Sequence, residues 1–223
     1  MDKASEIERI TLRGVLPEVF AGDAEVRKQI SDIWLRDISF ERGCFYMVLA
    51  ESGTGKSSLC SYIYGSRSDY RGVIDFDGKD IRSFGIERWS ALRRRSLSLL
   101  PQELNLFPEL TVMENLDIKN RLTGYLSDSE LRGLPSLLGL EGFENRLCGK
   151  MSLGQQQRVA IARALCQPFD FLILDEPVSH LDERNNRLMA DLLAGEARKR
   201  GAAVIATSVG NNLMLDSVIA LRL

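Results

Sequence analysis

Residues 44–57 constrain this chain more than any other stretch. An apolar run, Cys44-Phe45-Tyr46-Met47-Val48-Leu49-Ala50, leads into Glu51-Ser52-Gly53-Thr54-Gly55-Lys56-Ser57. The run reads as a buried strand, and Lys56–Tyr64 suits a helix. A glycine-rich turn between such a strand and helix matches the phosphate-loop pattern G-x-x-x-x-G-K-[ST], with Ala50 in place of the first glycine. Gly53 and Gly55 let the backbone curl so that successive N–H groups converge on phosphate oxygens. The helix beginning near Lys56 points its positive end at the same anion. In this pattern Lys56 reaches the β- and γ-phosphates of a nucleotide, and the Ser57 hydroxyl is placed to ligate Mg²⁺. Ala50, Glu51, Ser52, Gly53, Thr54, Gly55, Lys56, Ser57 and Ser58 are therefore the candidate nucleotide-binding residues. Ala50 is small and fits the loop provided its φ is negative.

A second apolar run, Phe171-Leu172-Ile173-Leu174, ends in Asp175-Glu176-Pro177. Two carboxylates at the C-terminal end of a buried strand stand where open α/β sheets bind ligands. Asp175 is placed to hold Mg²⁺ through water, as in other phosphate-loop NTPases. Glu176 is placed to orient or deprotonate the attacking water.

The rest of the chain reads as an α/β fold. Apolar stretches at 10–12 and 34–40 suit edge strands. Residues 72–78 read as a strand ending in an Asp-Gly turn, and Leu97–Leu100 as another short strand. From 103 to about 150 the texture turns helical. Thr111-Val112-Met113-Glu114 and Ser127-Asp128-Ser129-Glu130 both fit the capping box, in which residues three apart satisfy each other's free backbone N–H groups. A helix at 155–166, the polar-faced helix Glu183–Arg200, and strands at 203–207 and 217–221 follow. Alternating strands and helices imply a largely parallel sheet. Residues 1–101 and 151–223 are expected to form the nucleotide-binding core, and 102–150 a small all-helical subdomain.

Composition narrows the partners. With 29 basic and 31 acidic residues the formal charge is −2, which gives no global case for nucleic acid or an anionic membrane. No stretch approaches the roughly 18 apolar residues of a spanning helix, and MDKASEIERI lacks a signal-peptide core. Cys44, Cys60, Cys148 and Cys166 lack metal or CxxC spacing and read as reduced core thiols. The expectation is a cytoplasmic protein whose membrane role, if it has one, comes through a separate chain. The Arg93-Arg94-Arg95 cluster reads as a solvated helix end, and Trp34 and Trp89 as packing residues.

The motifs resemble the ATP-binding cassette (ABC) family over nearly the whole chain. Met151-Ser152-Leu153-Gly154-Gln155-Gln156-Gln157-Arg158 is similar to the family's signature, and Ser179-His180-Leu181-Asp182 to its D-loop. Gln102 matches the Q-loop glutamine, and the segment from Leu106 to Asn115 the opening of the helical subdomain. The resemblance implies a phosphate-loop NTPase core with a mostly parallel sheet, an N-terminal antiparallel β subdomain and the helical insert. It also implies a head-to-tail dimer, homomeric or heteromeric, with two ATP molecules at the interface. Ser152, Gly154, Gln155 and Asp182 would complete the partner's site, with the signature helix N-terminus as an anion site. Gln102 would sense Mg²⁺ and couple the site to a membrane permease docked on the insert. Phe20 falls where the family places an aromatic that stacks on adenine.

Two positions depart from the pattern. Ser208 stands where the family carries a histidine that contacts the γ-phosphate, and Leu153 replaces the signature's first glycine. The only histidine, His180, reads as an ordinary loop residue. Losing one positioned donor to developing charge costs on the order of 10²–10³ in rate, so ATP is expected to bind well and turn over slowly. The leading expectation is the ATPase subunit of an ABC transporter, resembling the lipoprotein-release, macrolide-export and cell-division type. The alternative is a nucleotide-gated regulatory module whose closure controls a membrane partner without transport. A phosphate-loop kinase or GTPase has no use for the signature and D-loop.

Overall fold

A computed structural model describes residues 7–22 and 31–223. Two sheets organise the fold. The smaller is antiparallel, in the order β2 (Asp37–Glu41), β1 (Arg9–Pro17), β4 (Tyr70–Phe76), β5 (Lys79–Asp80). The stretch at 10–12, expected as an edge, is instead interior: Ile10 pairs with Phe40 on one side and Phe76 on the other. Ile10 and Leu12 are fully buried, and an interior position satisfies both backbone edges of such a strand. The edge belongs to β2.

The larger sheet is wholly parallel, in the order β6 (Leu97–Leu100), β7 (Phe171–Leu174), β8 (Ala203–Ser208), β3 (Phe45–Leu49), β9 (Val218–Arg222). Both faces of its central strands are covered, which is why they read as unbroken apolar runs. Alternate residues enter two different cores. Phe45, Met47, Leu172, Leu174, Val204 and Ala206 pack on the side of the helical insert. Tyr46, Val48, Phe171, Ile173, Ala203 and Ile205 pack toward the antiparallel sheet and α1 (Lys56–Tyr64).

The remaining helices follow the sequence closely. They are α2 (Ile86–Arg95), α3 (Val112–Asn120), α4 (Asp128–Leu137), α5 (Leu153–Leu165) and α6 (Glu183–Arg200). Capping boxes form at Thr111/Glu114 and Ser127/Glu130 as the spacing predicts. A third forms at Ser152/Gln155 and starts α5 two residues earlier than the apolar pattern suggests. Helices α3 and α4 share one apolar cluster with α5 and the parallel sheet, through Val112, Leu116, Leu131 and Leu134. The insert is thus packed onto the core rather than around a core of its own. Arg94 and Arg95 are exposed at the end of α2, as expected of a solvated helix end, and only Arg93 departs from that expectation. Its guanidinium donates to the carbonyls of Tyr64 and Gly65 at 3.2 and 2.7 Å and lies over the rings of Tyr64 and Trp89, so it closes the C-terminus of α1.

All four cysteines are free, and only Cys44 is partly exposed. Burial pushes the Cys166 thiol up to about 12 and the Cys60 thiol well above its usual range. A thiolate-dependent reagent such as dithionitrobenzoate should therefore label Cys44 alone in the native protein and all four thiols in denaturant. Rapid native labelling of Cys60 or Cys166 would contradict this packing.

Candidate nucleotide site

Strand register brings the ends of the apolar runs of the parallel sheet to one edge. Leu49 pairs with Ser208, Leu174 with Ala206, and Leu100 with Leu174. The turns that follow β3, β6, β7 and β8 therefore emerge side by side, at the carboxyl edge where parallel sheets bind ligands.

The phosphate loop is the first of these turns. Gly53 and Gly55 adopt φ of 83° and 100°, a region side chains resist, while Ala50 does not. Alanine is thus accommodated at position 50, where its N–H donates to the Ser208 carbonyl at 3.1 Å. Gly55 is the left-handed N-cap of α1, and no side chain caps that helix end. Its first N–H groups are consequently available to an anion. A β-carbon at Gly55 would also lie 3.1 Å from Trp34 and 3.2 Å from Phe20.

Both aromatics back the loop. The Trp34 indole N–H donates to the Thr54 carbonyl at 3.0 Å, which the sequence, read for packing alone, did not reveal. Phe20 is half-buried in the 3₁₀ turn that follows β1.

Lys56 and Glu176 meet. The buried Lys56 ammonium donates to the Glu51 carbonyl at 2.8 Å and lies 3.6 Å from the Glu176 carboxylate. Thr54 Oγ1 also donates to the Glu51 carbonyl, at 2.9 Å. Glu51, Ser52, Gly53 and Ser57 are exposed, so the loop and the first turn of α1 face solvent. Ser58 Oγ accepts from Arg67 at 3.0 Å and retains its own proton to donate.

Across the site, Asp175 is buried, and its Oδ1 accepts from Thr207 Oγ1 at 2.7 Å. Its N–H donates to the Leu100 carbonyl at 2.9 Å, which places exposed Gln102 two residues further along the adjoining turn. Glu176 has φ of 51°, which costs a residue with a side chain roughly 1–2 kcal/mol. Its N–H donates to Thr207 Oγ1 at 3.1 Å, and its carbonyl accepts from Gln157 Nε2 at 3.1 Å. Thr207 and Gln157 were not singled out from the sequence. Thr207 adjoins the histidine position, and Gln157 lies among three glutamines that the pattern does not distinguish.

Ser208 is buried, and its hydroxyl is engaged by the turn that follows it. Oγ donates to the Asn211 carbonyl at 3.0 Å and accepts from the Gly210 N–H at 3.1 Å. The side chain that stands in place of the family histidine thus closes its own turn. Beside it lies a cavity of about 230 Å³ lined by Glu176, Ser179, Ser208, Val209, Gly210 and Asn211. A neighbouring cleft of about 530 Å³ runs from Ala50, Glu51 and Thr54 to Arg222.

The residues that resemble the signature are engaged within α5 and with the 179–182 turn that resembles the D-loop. Ser152 is the exposed N-cap of α5, in reciprocal bonds with Gln155 at 3.3 and 3.0 Å. Leu153 is exposed at the first helical position. A β-carbon at Gly154 would come within 2.9 Å of the His180 carbonyl, so glycine is required for the D-loop to lie against α5. Asp182 caps α6, with Oδ1 accepting from the Asn185 N–H at 2.8 Å.

The donor set suits Mg²⁺. A serine hydroxyl, an amide and an oriented carboxylate are hard oxygen ligands, and Mg²⁺ takes few protein ligands beside phosphate oxygens and water. Ser57 in the first turn of α1, and Gln102 and Asp175 on the adjoining turns after β6 and β7, supply those groups.

Comparison with known proteins points one way. A family model described as ABC transporter matches residues 35–179. YclH, an ABC transporter ATP-binding protein of Bacillus subtilis, is 30% identical over 191 residues, covering 84% of this chain and 83% of that protein. The thiamine import ATP-binding protein ThiQ of Histophilus somni is 33% identical over 185 residues, covering 82% and 84%. The dimeric structure of MJ0796, a bacterial ABC transporter cassette, matches with a TM-score of 0.77 and 25% identity over 96% of this chain and 94% of that one. A second structure of that cassette, a post-hydrolysis state bound to ADP and Pi, has the same TM-score of 0.77.

Proposed function

The chain belongs to the ABC transporter family, and from that premise we propose how its residues hold and hydrolyse ATP. It is the ATP-binding, ATP-hydrolysing subunit of an ABC transporter, and its likeness to such subunits favours this over a regulatory module. Among the described residues no helix is long and apolar enough to cross a membrane. A permease on other chains would dock on the helical insert, and cargo selection would reside there.

The observation that carries the reading is the 3.6 Å approach of Lys56 to Glu176. A cation for phosphate oxygens and a carboxylate for water occupy one space, so a γ-phosphate drawn to Lys56 arrives in front of Glu176. The phosphate-loop N–H groups and Lys56 bind the triphosphate, and Phe20 stacks on the adenine. Ser57, Asp175 and Gln102 would hold Mg²⁺, which when bound neutralises charge on the β- and γ-phosphates. Glu176 accepts the proton of a water that attacks the γ-phosphorus. As the new P–O bond forms, the bond to the bridging oxygen breaks and ADP leaves.

A second cassette would close the site by presenting Ser152, Gly154, Gln155 and Asp182 to the ATP of its partner, with ATP driving the closure. In that arrangement the exposed Leu153 side chain stands beside Ser152, where a glycine would let backbone approach phosphate.

Turnover is slow because no imidazole stands at position 208, and the serine hydroxyl there is committed to its turn. Ser208→His should extend a ring toward the cavity that Glu176 lines. Single-turnover hydrolysis by the purified variant should be faster than native by about 10–10²-fold, part of the value of one positioned donor. An unchanged rate would mean that another group already makes that contact.

A further inference from the structure

Glu176 is held in a conformation that its own chemistry does not favour, and two side chains from other elements hold it there. Its φ is 51°, a region that suits glycine or asparagine. Thr207, at the end of β8, gives its single hydroxyl proton to Asp175 at 2.7 Å and accepts the Glu176 N–H at 3.1 Å. One buried oxygen thereby fixes both the Asp175 carboxylate and the amide of the next residue. On the other side, the Gln157 amide donates to the Glu176 carbonyl at 3.1 Å and to Ser179 Oγ at 3.2 Å. Its oxygen accepts the His180 N–H at 3.1 Å. Gln157 is buried to 1% exposure, and all three bonds run to the Glu176–His180 turn.

We propose that Thr207 and Gln157 are positioning residues that clamp the Glu176 peptide from both ends and so aim its carboxylate at the attacking water. The inference rests on Glu176 as the group that accepts the proton from that water. Neither residue has to touch nucleotide for the clamp to act. Gln157 also gives the clamp a second role. It stands on α5, five residues beyond the signature N-cap Ser152. A displacement of α5 is therefore transmitted to the Glu176 carbonyl and to the Ser179–His180 turn through one amide. The orientation of Glu176 is thereby tied to the position of the signature helix.

The test uses the full chain with Thr207→Val, Thr207→Ser and Gln157→Leu, each alone and in a Glu176→Gln background. Valine keeps the shape of threonine and removes both bonds, whereas serine keeps them; Gln157→Leu leaves the Asp175 bond intact. Thr207→Val and Gln157→Leu should lower the single-turnover rate at saturating Mg·ATP on the order of 10²-fold, the cost of misplacing a reacting group. ATP affinity should stay within about threefold, and Thr207→Ser should recover most of the rate. In the Glu176→Gln background, where no rate remains above the uncatalysed background, the same changes should leave ATP affinity within the same threefold.

A second readout needs no hydrolysis. Amide hydrogen exchange across residues 171–181 of the nucleotide-free protein should quicken about tenfold in Thr207→Val and Gln157→Leu. Unchanged exchange overturns the clamp, as does a rate loss matched by an equal loss of ATP affinity. If the native protein hydrolyses no ATP, the assignment of Glu176 fails, and the exchange measurement still decides whether the clamp exists.

Discussion

Glu176→Gln is expected to abolish ATP hydrolysis while leaving ATP binding intact. The amide preserves the shape of the side chain but does not accept a proton from water, and a positioned base contributes about 10²–10⁴ in rate. Binding should hold or tighten for a reason visible in the site. Without nucleotide, Lys56 faces the Glu176 carboxylate at 3.6 Å. That carboxylate competes with phosphate for the ammonium and repels an incoming triphosphate. The glutamine removes both effects, while Lys56 keeps its bond to the Glu51 carbonyl. ATP should then accumulate unhydrolysed, and a cassette dimer closed by ATP should persist on a sizing column. A variant that loses affinity along with rate would move Glu176 from the chemistry to the binding of nucleotide.

Lys56→Ala should produce the opposite pattern and lose ATP itself. The lysine is buried to 5% exposure between the loop and Glu176, and a charged hydrogen bond contributes roughly 1.5–3 kcal/mol. Removing it leaves the Glu176 carboxylate facing phosphate with no intervening cation. ATP affinity should fall by at least about tenfold to a hundredfold, and at the same Mg·ATP concentration the stabilisation that ligand binding confers should fall by about 1.4–2.7 kcal/mol. Fluorescence titration with a labelled ATP analogue and a melting curve with and without Mg·ATP both read this. Retained affinity would place the triphosphate elsewhere than the loop.

The parts of the site that could be read from the sequence are those whose residue types are dictated locally. Helix α1 begins and ends as expected because Gly55 and Gly65, both left-handed, bracket it. The phosphate loop is legible because converging N–H groups require glycine at fixed spacing. Strand β7 is legible because a strand buried on both faces must be wholly apolar.

What stayed hidden depends on which distant segments become neighbours. The Thr207 hydroxyl meets Asp175 across 32 residues, and the pairing of β7 with β8 that brings them together leaves no mark on either segment alone. Gln157 reaches Glu176 across 19 residues, and helical periodicity does not say which of three glutamines turns inward. The interior position of β1 is of the same kind, since only its pairing with both β2 and β4 shows that it is not an edge. Trp34 was legible as a packing residue, yet its donated bond to Thr54 belongs to the folded loop.

The most direct measurement of the central claim is single-turnover hydrolysis of radiolabelled ATP by the purified native protein, beside Lys56→Ala and Glu176→Gln. The account predicts slow formation of ADP and phosphate by the native protein, with neither variant above the uncatalysed background. Equal product in all three, or none from the native protein, would contradict it.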